Sequence, residues 1–147
     1  MSSGRPWEDA RGRIEAWAAA NGVPVEWPNE PFDRGALADQ PFLSVDMEAD
    51  HINPLELGDA AAWIESGGLT VAVLVPKDRG SLGARQMAKN VASLFRGVYG
   101  AISYRSASIR SGGAFGQSED GNFWRLILTV AYDYQDKPAS GDTGDAP

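Results

Sequence analysis

The chain of 147 residues and 15.7 kDa, with 43% hydrophobic and 10% aromatic residues, is the size of one domain, large enough to bury about 68–70% of the surface its unfolded form exposes, and its composition is neither disordered nor fibrous. It has no cysteine, which excludes disulfides and thiolate-bound zinc or iron–sulfur centres and fits a cytoplasmic protein; no run of about 18 apolar residues occurs and MSSGRPWEDARGR lacks the apolar segment of a signal peptide, so a soluble, non-exported protein without membrane partners is expected. Thirteen basic against twenty acidic residues give a net charge of −7 and a pI near 4.6, the wrong sign for gripping a phosphate backbone, although DNA can pass such a surface without being captured.

After five residues expected to be flexible, Trp7, Ala10, Ile14, Trp17 and Ala18 recur at spacings of three and four, which predicts a helix over Pro6–Asn21. Pro6 suits its first turn, Glu8 and Asp9 suit the positive end of its dipole, and Asn21-Gly22 reads as its stop. The next stretch, VPVEWPNEPF, holds Pro24, Pro28 and Pro31, each of which removes a backbone donor and pushes the preceding residue towards an extended conformation. This predicts an extended connector, kept out of a sheet interior and ordered by burying Val25, Trp27 and Phe32.

Pro41–Ala49 alternates, with Leu43, Val45 and Met47 on one face and Ser44, Asp46 and Glu48 on the other, the pattern of a half-buried strand. Asp50–Gly58 is polar and reads as a loop, Asp59–Ser66 fits a short strand or one helical turn, and Gly67-Gly68 punctuates the chain before LTVAVLVP, whose β-branched residues Leu69–Val75 predict a central strand. A second amphipathic helix follows Pro76, with Leu82, Ala84, Met87, Ala88, Val91, Leu94 and Phe95 on its apolar side and Arg85, Lys89, Asn90 and Arg96 opposite. Ile102–Arg110 alternates weakly, Ser111–Asn122 is a Gly-rich loop, and Phe123–Tyr134 predicts a long strand with Trp124, Leu126, Leu128, Val130, Tyr132 and Tyr134 on one face. The last residues, 136–147, are acidic and rich in Pro and Gly, with nothing to bury, and predict a disordered tail. The sum is one α+β domain over residues 6–135: a single antiparallel or mixed sheet of four to five strands with two helices on one face.

The chemistry-bearing residues form no complete constellation. The one histidine, His51, lies beside Asp50 and near Glu56, a start for an acid/base pair or metal site, but a strand-connecting loop with solvated acids that need no ligand is the better reading of these residues. Lys77–Gly83 precedes a helix, where amides receive phosphate, yet it lacks both the GxxxxGK[ST] and the GxGxxG spacing and reads as a turn with Ser81 at the N-cap. The loop carrying Phe115, Glu119 and Asp120 is longer than a usual hairpin connection, which favours contact with a partner. The basic stripe Arg85, Lys89 and Arg96 is either a solvated face or a surface for acids of a neighbouring copy, such as Glu48 or Asp50. No catalytic, cofactor or metal residues are assigned.

Taken in order, the helix ending before VPVEWPNEPF, the strand PFLSVDMEAD, the glycines before LTVAVLVP, the helix GARQMAKNVASLFRG and the closing FWRLILTVAYDY resemble the tail terminator proteins of long-tailed phages and of phage-derived gene transfer agents. The resemblance covers about residues 6 to 135, and the most telling piece is the Trp-Pro-Asn-x-Pro-Phe arm ahead of a Pro-aromatic-Leu strand. It departs at Asp59–Ser66, where the family tends to have a clearer strand. The resemblance implies a non-enzymatic virion protein without cofactor, a homohexameric ring that binds the last ring of the major tail tube protein, halts tube growth and joins a head-completion or stopper protein, with DNA passing through an acidic lumen. It implies a place in the neck of the virion after assembly in the host cytoplasm. Trp27, Pro28, Phe32, Arg85, Lys89, Arg96, Phe115, Glu119 and Asp120 are the expected contacts with like subunits, tube or connector. Two other readings stand beside it: another neck or tail-completion protein of similar build, and a small ligand-binding module or enzyme using Asp50, His51 and Glu56.

Overall fold

The computed structural model describes residues 2–37, 39–55, 62–112 and 123–136. In chain order they form helix α1 (Gly4–Asn21), strand β1 (Val25–Glu26), a 3-10 turn (Arg34–Leu37), β2 (Phe42–Pro54), β3 (Trp63–Pro76), α2 (Leu82–Ala92), β4 (Gly97–Tyr99), β5 (Ile102–Ser111) and β6 (Phe123–Asp136). The strands build one sheet in the order β1-β2-β3-β6-β5-β4. Only β1 and β2 pair in parallel; the other neighbours are antiparallel. The class is the expected α+β with a mixed sheet and two helices, but the sheet has six strands and not four to five. The additional strands are the short ones at the two edges: β1, supplied by the proline-rich arm, and β4, which folds back on the start of β5.

The helices and one sheet face share a single core. Ala10 and Ile14 of α1 and Ala84, Ala88 and Val91 of α2 meet Leu43, Val45 and Met47 of β2, alternate residues of β3 from Leu69 to Val75, and Leu126, Leu128, Val130, Tyr132 and Tyr134 of β6. Alanines at the contact points let the helices sit close to the sheet. The α1 stop is as expected, with Gly22 at φ 66° and its left-handed cap closing on Ala18. The start differs: α1 begins at Gly4, so Glu8 and Asp9 fall beyond its first turn. Asp9 instead accepts from Arg13 at 2.9 Å and from the hydroxyl of Tyr104.

The second sheet face carries a small core of its own, absent from the sequence expectation. Phe42, Leu74 and Phe123 are buried there under Phe32 and Leu37 of the arm, with Phe42 edge-on to Phe123 at 5.0 Å.

Three local readings are corrected. Asp50–Pro54 is strand and not loop: β2 and β3 stay paired out to Pro54 and Trp63, across a bulge at Asp50 between Ala49 and His51. Gly67 and Gly68 do not separate two elements but lie inside one strand, because the bulge brings the carbonyl of Glu48 to where a side chain at 67 would stand. Trp63–Ser66 is thereby strand, while residues 56–61 lie outside the described residues. Leu82 is 68% exposed and not part of the core. The helix α2 ends at Ala92; a tightened last turn, with Phe95 N–H donating to the Ala92 carbonyl at 3.0 Å, delivers Phe95 to the core.

Candidate functional site

The arm answers why a tryptophan sits between prolines. Val25–Glu26 pairs with Leu43–Ser44, so the connector becomes an edge strand, a position where proline is tolerated. The chain then turns at Trp27–Glu30, closed by Glu30 N–H on the Trp27 carbonyl at 3.3 Å, with Pro28 fixing one central residue and Asn29 supplying φ 57° at the next. This turn carries the chain around the sheet edge. Trp27 stays on the helix side, edge-on to Trp7 at 5.8 Å and under the Arg11 guanidinium at 4.5 Å. Phe32 reaches the other side and lies 5.3 Å from Phe42.

Ion pairs hold the clamp. Arg34 donates to both oxygens of Glu26, at 3.0 and 2.7 Å, and Ser44 donates to the same carboxylate at 2.8 Å. The Arg34 bonds hold the Glu26 carboxyl below its ordinary value. Arg11 bridges Glu15 and Glu30, and its bonds lower Glu30 in the same way. Trp27, Pro28 and Phe32 are half-buried on their own chain, around a shallow depression of about 350 Å³ that also touches Ser44 and Asp46.

The basic stripe is only partly brought together. Lys89 and Arg96 line one cleft of about 460 Å³ between α2 and β5, floored by Phe95, Tyr104, Ala107 and Ile109. Arg85 does not line it; its guanidinium donates to the Ser81 hydroxyl at 2.9 Å, so Ser81 stands at the N-cap position without capping by its side chain. Arg105, which sequence reasoning missed, joins this cleft and pairs with Asp133 at 2.7 Å, while Asp133 also accepts from Ser66 at 2.6 Å. Arg105 is the extra residue of a bulge between Tyr104 and Ser106, so no alternation pattern could have placed it. Phe115, Glu119 and Asp120 lie outside the described residues.

His51 is exposed on β2, paired with Ser66, and Glu56 lies outside the described residues. Among the described residues no three His, Asp or Glu side chains gather as a metal site. The buried carboxylate is one that sequence reasoning did not single out. Glu65, 3% exposed, accepts from the hydroxyl of Tyr132 at 2.5 Å and from the backbone N–H of Ser3 at 3.2 Å. Ser3 is the N-cap of α1 and offers no side-chain cap, so Glu65 caps that helix from the sheet. Burial first, and then the bond to Glu65, push the Tyr132 phenol above its ordinary value; burial and Asp9 do the same to Tyr104.

A family model described as phage tail terminator protein matches residues 7–132. Among 21 matching chains of known structure, one is 24% identical and superposes with a TM-score of 0.58, covering 92% of this chain and 99% of the other. At that identity it is a likeness of fold. No curated protein matches.

Proposed function

The chain belongs to the phage tail terminator protein family, a family of structural, generally non-enzymatic phage tail proteins, and from this we propose that it forms a ring, of six copies, on the tip of the tail tube, stops tube growth and offers the head connector its docking surface. The observation that carries the reading is the extent of the family match, which takes in every described element from α1 to most of β6. The described polar networks support it: Glu65, bonded to Tyr132 and to the Ser3 amide, and Asp9, bonded to Tyr104, tie helix α1 to the sheet, a use in holding shape.

On this reading the protein stands in the neck of a phage or phage-derived particle, touching the major tail tube protein on one side and a head-completion protein on the other. DNA passes through a channel that its acidic charge keeps from adhering. The exposed parts of Trp27, Pro28 and Phe32, together with Phe115, Glu119 and Asp120, are proposed contacts with these partners.

Electron microscopy of particles made without the protein tests the role. Overlong or headless tails are expected; infectious particles with tails of normal length would overturn it. Light scattering of the purified chain should show a mass near six times 15.7 kDa, alone or with tube protein.

A further inference from the structure

The two lateral edges of the sheet are unfinished in complementary ways. On one side β4 covers only Ile102–Tyr104, and among the described residues no strand pairs with the outer side of β5 from Arg105 to Arg110, all of it exposed. On the other side β1 covers only Leu43 and Ser44, and Ser2 donates to the Met47 carbonyl at 3.1 Å. From Glu48 to Pro54 no described strand pairs with the outer side of β2, and Asp50–Pro54 is exposed throughout. Long uncovered edges are templates for another strand. Three antiparallel steps separate β2 from β5, so the two edges run in opposite directions. When the β5 edge of one copy meets the β2 edge of the next in a head-to-tail arrangement, the strands are antiparallel.

Chemistry and facing agree with this polarity. The β5 side presents Lys89 and Arg96 around the apolar floor of the cleft, with Arg110 further along the strand on the opposite sheet face. The β2 side presents the acids Glu48 and Asp50 and two exposed apolar side chains, Ile52 at 56% and Trp63 at 42%. The bulge sets Ile52 opposite buried Glu65, which places it on the helix face; Trp63 is two residues from Glu65 along β3 and shares that face. Ala107 and Ile109 stand opposite Val130 and Leu128 on the same face.

We propose that successive copies of this chain join edge to edge, the Glu48–Pro54 segment of β2 in one copy lying antiparallel to Arg105–Arg110 of β5 in the next. Ile52 and Trp63 enter the cleft beside α2, and Glu48, on the other sheet face opposite Gly68, meets Arg110 at the far end of the segment. The proposal names the contact that would close the ring and so rests on the reading above.

The chain has no cysteine, which permits a direct test by crosslinking. Ile52 and Ala107 lie on strands three spacings apart, about 14 Å at least, beyond the roughly 7 Å limit for a disulfide. In a chain carrying Ile52→Cys and Ala107→Cys, which the proposed register sets opposite one another, any disulfide must therefore join two copies. Oxidation of particles assembled with this variant is expected to give a ladder from dimer to closed ring, while either single variant, which also controls for folding, stays monomeric. A monomer band alone from particles that contain the variant would overturn the interface and leave the ring reading standing, as would a dimer from Ile52→Cys alone, or a product of the mass expected for a crosslink to tube protein. Absence of the wild-type chain from particles with normal tails would overturn the ring reading itself. Charge reversal gives the second arm. Glu48→Lys and Arg110→Glu are each expected to lose assembly, and co-expression of the two chains is expected to restore it by alternation around the ring. Assembly by either variant alone, or failure of the mixture, would overturn the proposal.

Discussion

Replacing Gly67 with alanine tests the bulge that orients the β2 edge. An ideal Cβ at 67 would stand 1.9 Å from the Glu48 carbonyl oxygen and 2.9 Å from both the Glu48 carbonyl carbon and the Ala49 Cα. All three obstacles are backbone, so no rotamer change relieves the contact, and the β2 and β3 backbones must part by roughly 1 Å, enough to break one or two ladder hydrogen bonds worth about 1 kcal/mol each. Overpacking adds about 1–3 kcal/mol, for a loss of about 2–5 kcal/mol. At about 2–4 °C per kcal/mol for a domain of this size, the melting temperature should fall by roughly 10 °C. Gly68→Ala is the control: its nearest neighbour is Thr129 Cγ2 at 3.6 Å, ordinary contact, so a change within about 1 kcal/mol is expected. Deleting Asp50 as well removes the extra residue of the bulge while keeping His51 opposite Ser66, and should recover most of the loss. Thermal unfolding followed by circular dichroism reads all three chains. Equal melting points for Gly67→Ala and Gly68→Ala, or no recovery on deletion, would refute the reasoning.

Glu65→Ala leaves the Tyr132 hydroxyl and the Ser3 amide without their acceptor and should cost about 2–3 kcal/mol in urea unfolding, with Glu65→Gln costing less; equal loss from both variants would show that the acceptor is not what matters. Trp27→Ala should destabilise the isolated chain by about 2 kcal/mol, below the range for a fully buried tryptophan, since Trp27 is half-buried against Trp7; unchanged monomer stability would mean that the ring anchors nothing within its own chain. The phenols of Tyr104 and Tyr132 are raised above their ordinary value by burial and by the adjacent carboxylates. The stability they confer is therefore complete below the unfolded-state pKa of about 10 and is lost as pH climbs from there through the folded-state values. Urea midpoints from pH 9 to 11 should fall steeply in the native chain and less steeply in the variant carrying Tyr104→Phe and Tyr132→Phe, whereas parallel slopes would contradict the assignment.

The elements legible in the sequence are those whose burial follows one period without interruption. In α1, Ala10, Ile14 and Ala18 keep helical spacing to a Gly stop, and Leu126 to Tyr134 in β6 keep strict alternation. The end of β2 was hidden because Asp50 adds one residue and shifts the phase, and because the strand beyond it is exposed on both faces, leaving no contrast between in and out. Gly67 misled for a related reason, since a glycine admitted by a close backbone approach looks in sequence like one that ends a strand. The Phe42, Leu74 and Phe123 core is made by the arm crossing the edge, a long-range event without a local signature. For the site, Lys89 was readable from helical spacing, whereas Arg96 falls beyond the end of α2, and Arg105 and Glu65 depend on pairing between distant strands.

The distribution of charge also bears on what kind of assembly these edges allow. If two copies met through the same edge about a two-fold axis, the β5 edges would bring Arg105 and Arg110 against their own equivalents, and the β2 edges would do the same with Glu48 and Asp50. Like charges placed directly across a strand pair are destabilising, so both isologous pairings are disfavoured. Only the unlike edges complement one another, and an interface between unlike patches repeats from copy to copy until its rotation closes a ring or, failing closure, runs on as a filament. Partial covering of each edge, by β1 and Ser2 on one side and by β4 on the other, leaves short complementary stretches in place of two full-length edges. That arrangement limits indiscriminate sheet growth while leaving a directed contact. A net charge of −7 adds a general repulsion between copies in solution, so the specific edge contact gains most where a tube tip already holds the copies side by side.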